Sequence, residues 1–284
     1  MEFVPLSRFS LSEQVDAFHA AFSNYFLPIQ LTEDSLARKI LNDRIDLERS
    51  VAAVESGKLC GFIYQGFGEW EGESAVYNAG TGVLPEARGK SLTRNMYEYT
   101  LPQLKERQVK TMVLEAIEAN HAAIHIYKSV GYAVTRTLTS WRMVIPPRAT
   151  TKLALELDLP EELSLVVPDG WATISPSWQF MQEALESDVA RIRRLEARYK
   201  QRLVGVCFFL PQHTRILQMA VDPDHRGKGI GRAMMDYIFR FEGKPHIVNV
   251  EACDELNVFF KACGFQPFIQ QVEMVARLEV GRRQ

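Results

Sequence analysis

Two short basic segments have the composition of an anion-binding turn: Arg88-Gly89-Lys90-Ser91-Leu92-Thr93 and Arg226-Gly227-Lys228-Gly229-Ile230-Gly231. Each follows a strand-like stretch ending in Val-x-Pro (Val83 and Pro85; Val221 and Pro223). Each then runs into a segment with helical spacing of apolar residues, Leu92, Met96 and Tyr99 in one and Ile230, Met234 and Tyr237 in the other. A Gly-rich turn at a helix start presents unpaired N–H groups and the positive end of the helix dipole, which favours a phosphate. Neighbouring Arg and Lys add to that field. A nucleoside-triphosphate loop of the Walker type does not fit, because Leu84 stands where its first Gly belongs and Gly229 where its Ser or Thr belongs. The dinucleotide fingerprint fails too, with Met234 in place of its last Gly.

Other residues have chemistry of their own. Glu115 and Glu251 end apolar strand-like runs, where a carboxylate can act as a base with a raised pKa or simply be solvated. Tyr127 closes an apolar helical segment and is either a core residue or a proton donor. His121 and His125 lie one helical turn apart, but no third ligand is in view, so no metal is expected. Cys60 and Cys207 sit in apolar strands and read as small buried hydrophobes.

The elements that must position these residues come in two copies. Displaced by about 138 positions, Val83–Tyr99 overlays Val221–Tyr237 without a gap. The identities are Val83/Val221, Pro85/Pro223, Arg88/Arg226, Gly89/Gly227, Lys90/Lys228, Arg94/Arg232, Met96/Met234 and Tyr99/Tyr237. The flanks agree: each copy reads strand, strand, basic turn, helix, strand, helix, Gly, strand, a mixed α/β unit. Pro146–Thr151 interrupts the strand pattern and sets a boundary, giving domains 1–147 and 148–284. Lys152–Val167 is either an extra strand pair or the opening of the second copy. Helices are predicted over Ser12–Asn24 and Thr32–Leu47, the latter opened by Thr32-Glu33-Asp34-Ser35, whereas the second copy has only Ser177–Ser187 in the same place. Trp70–Glu73 reads as a hairpin tip.

Bulk composition is that of a soluble globular chain: 284 residues, 46% hydrophobic, 24% charged, net charge -2. That balance points to neither nucleic acid nor an anionic membrane as partner. No apolar run approaches the ~20 residues of a membrane span. The N-terminal segment has no basic and apolar succession of a secretion signal, so a cytoplasmic location is expected.

With these residues in view, the chain resembles the GNAT superfamily of N-acetyltransferases in a tandem, two-domain form. Val221, Pro223, Arg226, Gly229 and Gly231 are similar to the family's acetyl-CoA motif, and Asn120, Ala123, Tyr127, Gly131 and Tyr132 to its second motif. The resemblance covers most of Met1–Val144 and Trp171–Leu278. It implies a mixed sheet in each domain, splayed at its centre and flanked by helices, with acetyl-CoA as co-substrate and no metal. Backbone N–H groups of Arg88–Thr93 and Arg226–Gly231 would hold the pyrophosphate. The strand before each turn, Thr81-Gly82-Val83 or Met219-Ala220-Val221, would meet the pantetheine arm and polarise the thioester carbonyl. Tyr127 would protonate the departing thiolate, and Asn120 belongs to the same motif.

The copies depart from the family pattern in complementary ways. Ser91 and Thr93 replace the two glycines of the first turn, while Phe260 replaces Tyr127 in the second copy. The expected activity is acetyl transfer to a primary amine of a small molecule or peptide by direct attack, with the active centre in the first half. The alternatives are a non-catalytic acyl-CoA-binding or regulatory protein, and a pseudo-dimer in which one half catalyses and the other is scaffold.

Overall fold

The computed structural model describes residues 1–23, 26, 30–146, 151–241 and 243–279. Two compact units emerge. Unit 1 comprises Met1–Thr135 with Glu273–Gln284, and unit 2 comprises Arg136–Val272.

Unit 1 begins with β1 (Glu2–Pro5), followed by α1 (Leu11–Ala21) and α2 (Glu33–Asn42). Ser10 opens α1 through a reciprocal capping box with Glu13. The expected start of α2 at Thr32 is present, its hydroxyl taking the Ser35 N–H, but the helix ends at Asn42, well before Leu47. Arg44, just beyond, adopts a left-handed φ of 57°, which a continuing helix does not allow. Asn24, the expected end of the first helix, lies outside the described residues. An antiparallel ladder of β2 (Val51–Glu55), β3 (Lys58–Trp70) and β4 (Glu73–Val83) comes next. Glu71 and Gly72, both at positive φ, make the expected hairpin tip between β3 and β4. The chain continues through α3 (Leu92–Glu106), β5 (Thr111–Ile117) and α4 (His121–Ser129). On α3, Leu92 and Met96 are buried as the pattern requires, but Tyr99 is 40% exposed and packs on Phe3. The buried tyrosine of that helix is Tyr97.

Unit 2 repeats the plan. After β6 (Ala133–Met143), β7 (Leu155–Asp158) pairs antiparallel with β8 (Arg193–Tyr199), so Lys152–Val167 holds the opening strand of the second copy. The short α5 (Gln182–Ser187) is the only α-helix among the described residues before β8 in this unit. Then come β9 (Arg202–Leu210), β10 (Arg215–Val221), α6 (Ile230–Ile238), β11 (His246–Glu251), α7 (Asp254–Ala262) and β12 (Phe265–Arg277).

The units do not coincide with halves 1–147 and 148–284, and the boundary residues 147–150 lie outside the described residues. The last strand of each half is traded. In unit 1 the strand order is β1-β2-β3-β4-β5 and then the end of β12, where the Leu278 N–H reaches the Lys110 carbonyl at 2.8 Å. In unit 2 it is β7-β8-β9-β10-β11 and then β6, antiparallel to β11 from His246↔Arg142 to Glu251↔Leu138. Each incoming strand is anchored by side chains. Arg277 binds Glu71, Glu73 and the Thr111 hydroxyl in unit 1, at 2.8, 2.7 and 2.6 Å. Trp141 enters the apolar core of unit 2 and stacks on Phe260.

Both sheets part at their centre. In unit 1, β4 and β5 pair in parallel only from Ala75↔Thr111 to Asn78↔Leu114, and in unit 2, β10 and β11 only at Arg215↔His246 and Ile216↔Ile247. A one-residue bulge stands at each parting, at Ala79 in β4 and Leu217 in β10. A bulge bends its strand and turns the residues beyond it to a new direction, so Thr81–Val83 and Met219–Val221 are released from the parallel partner.

Candidate acyl-transfer site

In unit 1 the released strand end, the basic turn and α4 enclose a cavity of about 620 Å³. Thr81, Gly82 and Val83 border it from β4, and Arg88, Gly89, Ser91, Leu92 and Thr93 from the turn. Asn120 and Tyr127 close it from α4. Lys90 and Glu115 do not border this cavity: Lys90 pairs with Glu55 at 3.1 Å, both half-exposed, and Glu115 lies on β5.

The arginine of the turn has a structural task. Arg88 donates from Nη2 to the Ala21 carbonyl (2.9 Å) and from Nε to the Val83 carbonyl (3.3 Å), tying the end of α1 to the end of β4. Asn120 is similarly employed: its side-chain oxygen accepts the Ala123 N–H at 3.2 Å and caps α4. Ser91 sits at the N-cap of α3 with φ 53°, left-handed, a conformation costing an L-residue about 1–2 kcal/mol. The turn geometry of the second copy is therefore kept in the first despite the lost glycine.

A polar network that one sequence does not disclose lies beside the parting. Asn78 donates from Nδ2 to the Tyr97 hydroxyl (2.6 Å) and to the Thr81 hydroxyl (2.8 Å), and its Oδ1 accepts the Gly80 N–H (3.0 Å). It thus fixes the β4 bulge. Tyr97 and Tyr132 meet at their hydroxyls at 3.4 Å, and both rings pack edge-on against Tyr127. Burial pushes the Tyr97 and Tyr132 hydroxyls up, so both stay protonated donors near neutrality. The available signal was comparison of the copies, since Tyr97 stands where the second has Met235, and Asn78 where it has Ile216.

Glu115 is a partly buried carboxylate in a poor environment for charge. Burial raises its pKa to about 7, against a lowering contribution from the Tyr77 hydroxyl, which is hydrogen-bonded to Oε2. The nearby carboxylates of Glu273 and Asp43 push it further up, and Lys39 pulls it down. Its other oxygen, Oε1, is buried without a hydrogen-bond partner among the described residues. Glu273 comes from the traded strand β12, which is why sequence order gave no hint of it.

Unit 2 builds the same cradle differently. A cavity of about 610 Å³ is bordered by Met219, Ala220 and Val221 from β10, and by Arg226, Gly227, Lys228, Gly229, Ile230 and Gly231 from the turn. Arg226 repeats the structural role of Arg88, donating to the Trp171 and Val221 carbonyls at 2.9 and 3.3 Å. Gly229 takes φ 84°, and a Cβ there would come within 3.0–3.2 Å of Thr151, whose hydroxyl donates to the Lys228 carbonyl at 2.7 Å. A Cβ at Gly231 would meet the Phe259 ring at 2.9 Å. The counterpart of Tyr127 carries no hydroxyl: Phe260 is 3% exposed and stacked on Trp141. Glu251, in the place of Glu115, is paired with Arg136 at 2.9 Å, a guanidinium that also donates to the Ser175 carbonyl at 2.8 Å.

Comparison with known proteins gives a consistent result. The acetyltransferase (GNAT) family model matches residues 15–132, and the acetyltransferase (GNAT) domain model residues 193–267. The mycothiol acetyltransferase of Propionibacterium freudenreichii subsp. shermanii is 25% identical over 139 residues, 49% of this chain and 45% of that protein, so the match spans less than half of the relative. Among solved structures, a GCN5-related N-acetyltransferase from Sphaerobacter thermophilus aligns with a TM-score of 0.71 at 15% identity, over 97% of this chain and 95% of that one. A tandem GNAT protein from the clavulanic acid biosynthesis pathway aligns with a TM-score of 0.63 at 14% identity, over 100% of this chain and 99% of that one. At such identities the likeness is one of fold.

Proposed function

The chain belongs to the GNAT family of acetyltransferases in a tandem form, and from that premise we propose that unit 1 transfers an acetyl group from acetyl-CoA to a primary amine of a small molecule or peptide. The observation that carries this reading is the unit 1 cavity, which has the anion-binding turn, the released edge Thr81–Val83 and the Tyr127 side chain on its walls. The turn's N–H groups bind the pyrophosphate of CoA and the released strand end lies along the pantetheine arm. The neutral amine attacks the thioester carbonyl carbon, a C–N bond forms, and negative charge gathers on the carbonyl oxygen near the β4 backbone. The C–S bond then breaks. Glu115, which stands on β5 outside the cavity wall, receives the proton lost by the amine nitrogen through an intervening water, and Tyr127 gives a proton to the leaving thiolate. The products are an N-acetyl amine and CoA.

Kinetics of Tyr127→Phe test the reading. Turnover, monitored as free CoA thiol with a panel of primary amines, is expected to fall about 100-fold or more, with acetyl-CoA affinity within about twofold of the parent. Unchanged turnover would remove Tyr127 from the mechanism.

A further inference from the structure

A second cavity in unit 2, of about 280 Å³, lies in the parting between β10 and β11. It shares the wall residues Thr173, Met219, Ala220 and Leu256 with the cavity at the Arg226–Gly231 turn, so the two spaces are neighbours. Among the described residues no charged side chain borders it. Its walls differ from unit 1 in a systematic way. Four residues of the unit 1 network and its proposed acid, Asn78, Thr81, Tyr97 and Tyr127, correspond to Ile216, Met219, Met235 and Phe260, all of which border this cavity. Every hydrogen-bonding group of that set has become apolar. The cavity is also roofed: Gln218, beside the β10 bulge, donates to the Phe180 carbonyl at 2.5 Å and ties the Trp178–Phe180 turn over it.

We propose that unit 2 binds a CoA thioester whose acyl chain is apolar and longer than acetyl, with the CoA phosphates on the Arg226–Gly231 turn and the chain in this cavity, and that it retains this ligand without transferring the acyl group. The inference rests on reading the second basic turn as a CoA cradle. An acyl chain extending from a thioester beside Met219 and Ala220 has this uncharged, mainly apolar space next to it. Each buried methylene adds to affinity. Retention is explained by the ion pair of Glu251 with Arg136 and by Phe260, which has no proton to give.

The test is calorimetric titration of the full chain with CoA, acetyl-CoA and hexanoyl-CoA. Hexanoyl-CoA is expected to bind at least about tenfold more tightly than acetyl-CoA. Lys228→Glu, an exposed charge reversal beside the cradle, is expected to abolish that tight site, while Lys90→Glu in unit 1 leaves it intact. Ile174→Trp, which fills the cavity from a loop, is expected to weaken hexanoyl-CoA about tenfold and to leave CoA within twofold. Equal affinity for the two thioesters, with CoA binding still sensitive to Lys228→Glu, would overturn the acyl-chain inference alone. No CoA binding sensitive to Lys228→Glu would overturn the cradle reading with it. Neither outcome bears on Tyr127, whose test is turnover.

Discussion

Replacing Glu115 by Gln is expected to lower acetyl-transfer turnover by about 100- to 10,000-fold, the range over which a positioned base contributes. The pH profile supplies the specific signature. Burial raises this carboxyl to about 7, so the wild-type rate should rise with pH through a midpoint near 7 and level off once the base is ionised. Glu115→Gln should lose that step. Stability should move the opposite way. The folded-state pKa lies above the ordinary 4.5, so the folded protein holds a proton there that the unfolded chain has released, and wild-type stability falls as pH rises from about 4.5 through 7. Gln carries no charge to desolvate. The variant should therefore be more stable to unfolding than the parent at pH 8, by at most about 3 kcal/mol, with little difference at pH 4. Turnover within threefold of wild type, with its pH step retained, would exclude Glu115 as the base.

The second large effect concerns the halves of the chain. Residues 1–147 expressed alone are expected not to fold as a soluble, cooperatively melting domain. They lack the segment of β12 that pairs beside β5, the Arg277 clamp on Glu71, Glu73 and Thr111, and Glu273 beside the proposed base. They also carry Trp141, which is buried in unit 2 and would be left in water. An unpaired edge and an exposed indole together cost several kcal/mol, a large part of the ~5–15 kcal/mol that holds a domain folded. Co-expression with residues 148–284 should restore solubility, because the second half returns the missing strand. A monomeric 1–147 fragment with a sharp thermal transition would show that strand trade contributes little.

The sequence carried the parts of this molecule that depend on local pattern. The duplicated Val-x-Pro, basic turn and helix led directly to two turns that each border a cavity, and Gly229 and Gly231 stand where a left-handed turn and the Phe259 ring require them. Tertiary choices were not legible. The alternating residues of β6 and β12 specify that strands form, not which sheet edge they join, so the trade of strands between units left no trace in order along the chain. The basic turn's charge likewise did not disclose the structural task of Arg88 and Arg226, because carbonyls of Ala21 and Trp171 become their partners only on folding. Tyr99 repeats as Tyr237 and so looked like core, yet Tyr97 is the ring that faces inward. The contrast between Glu115, crowded by carboxylates, and Glu251, matched with Arg136, comes in part from those traded strands, which supply Glu273 and Arg136.

The central claim is that one active centre exists and that it lies in unit 1. Arg88 and Arg226 offer a matched pair for testing it, since each makes the same two bonds in its own unit, to the end of its strand and to a carbonyl upstream. The decisive measurement is kcat/KM for acetyl transfer in Arg88→Ala and Arg226→Ala, side by side. The expected result is a loss of about tenfold or more from Arg88→Ala, about 1.4 kcal/mol or more, with Arg226→Ala within twofold of wild type. Equal losses from both, or a loss confined to Arg226→Ala, would contradict the account.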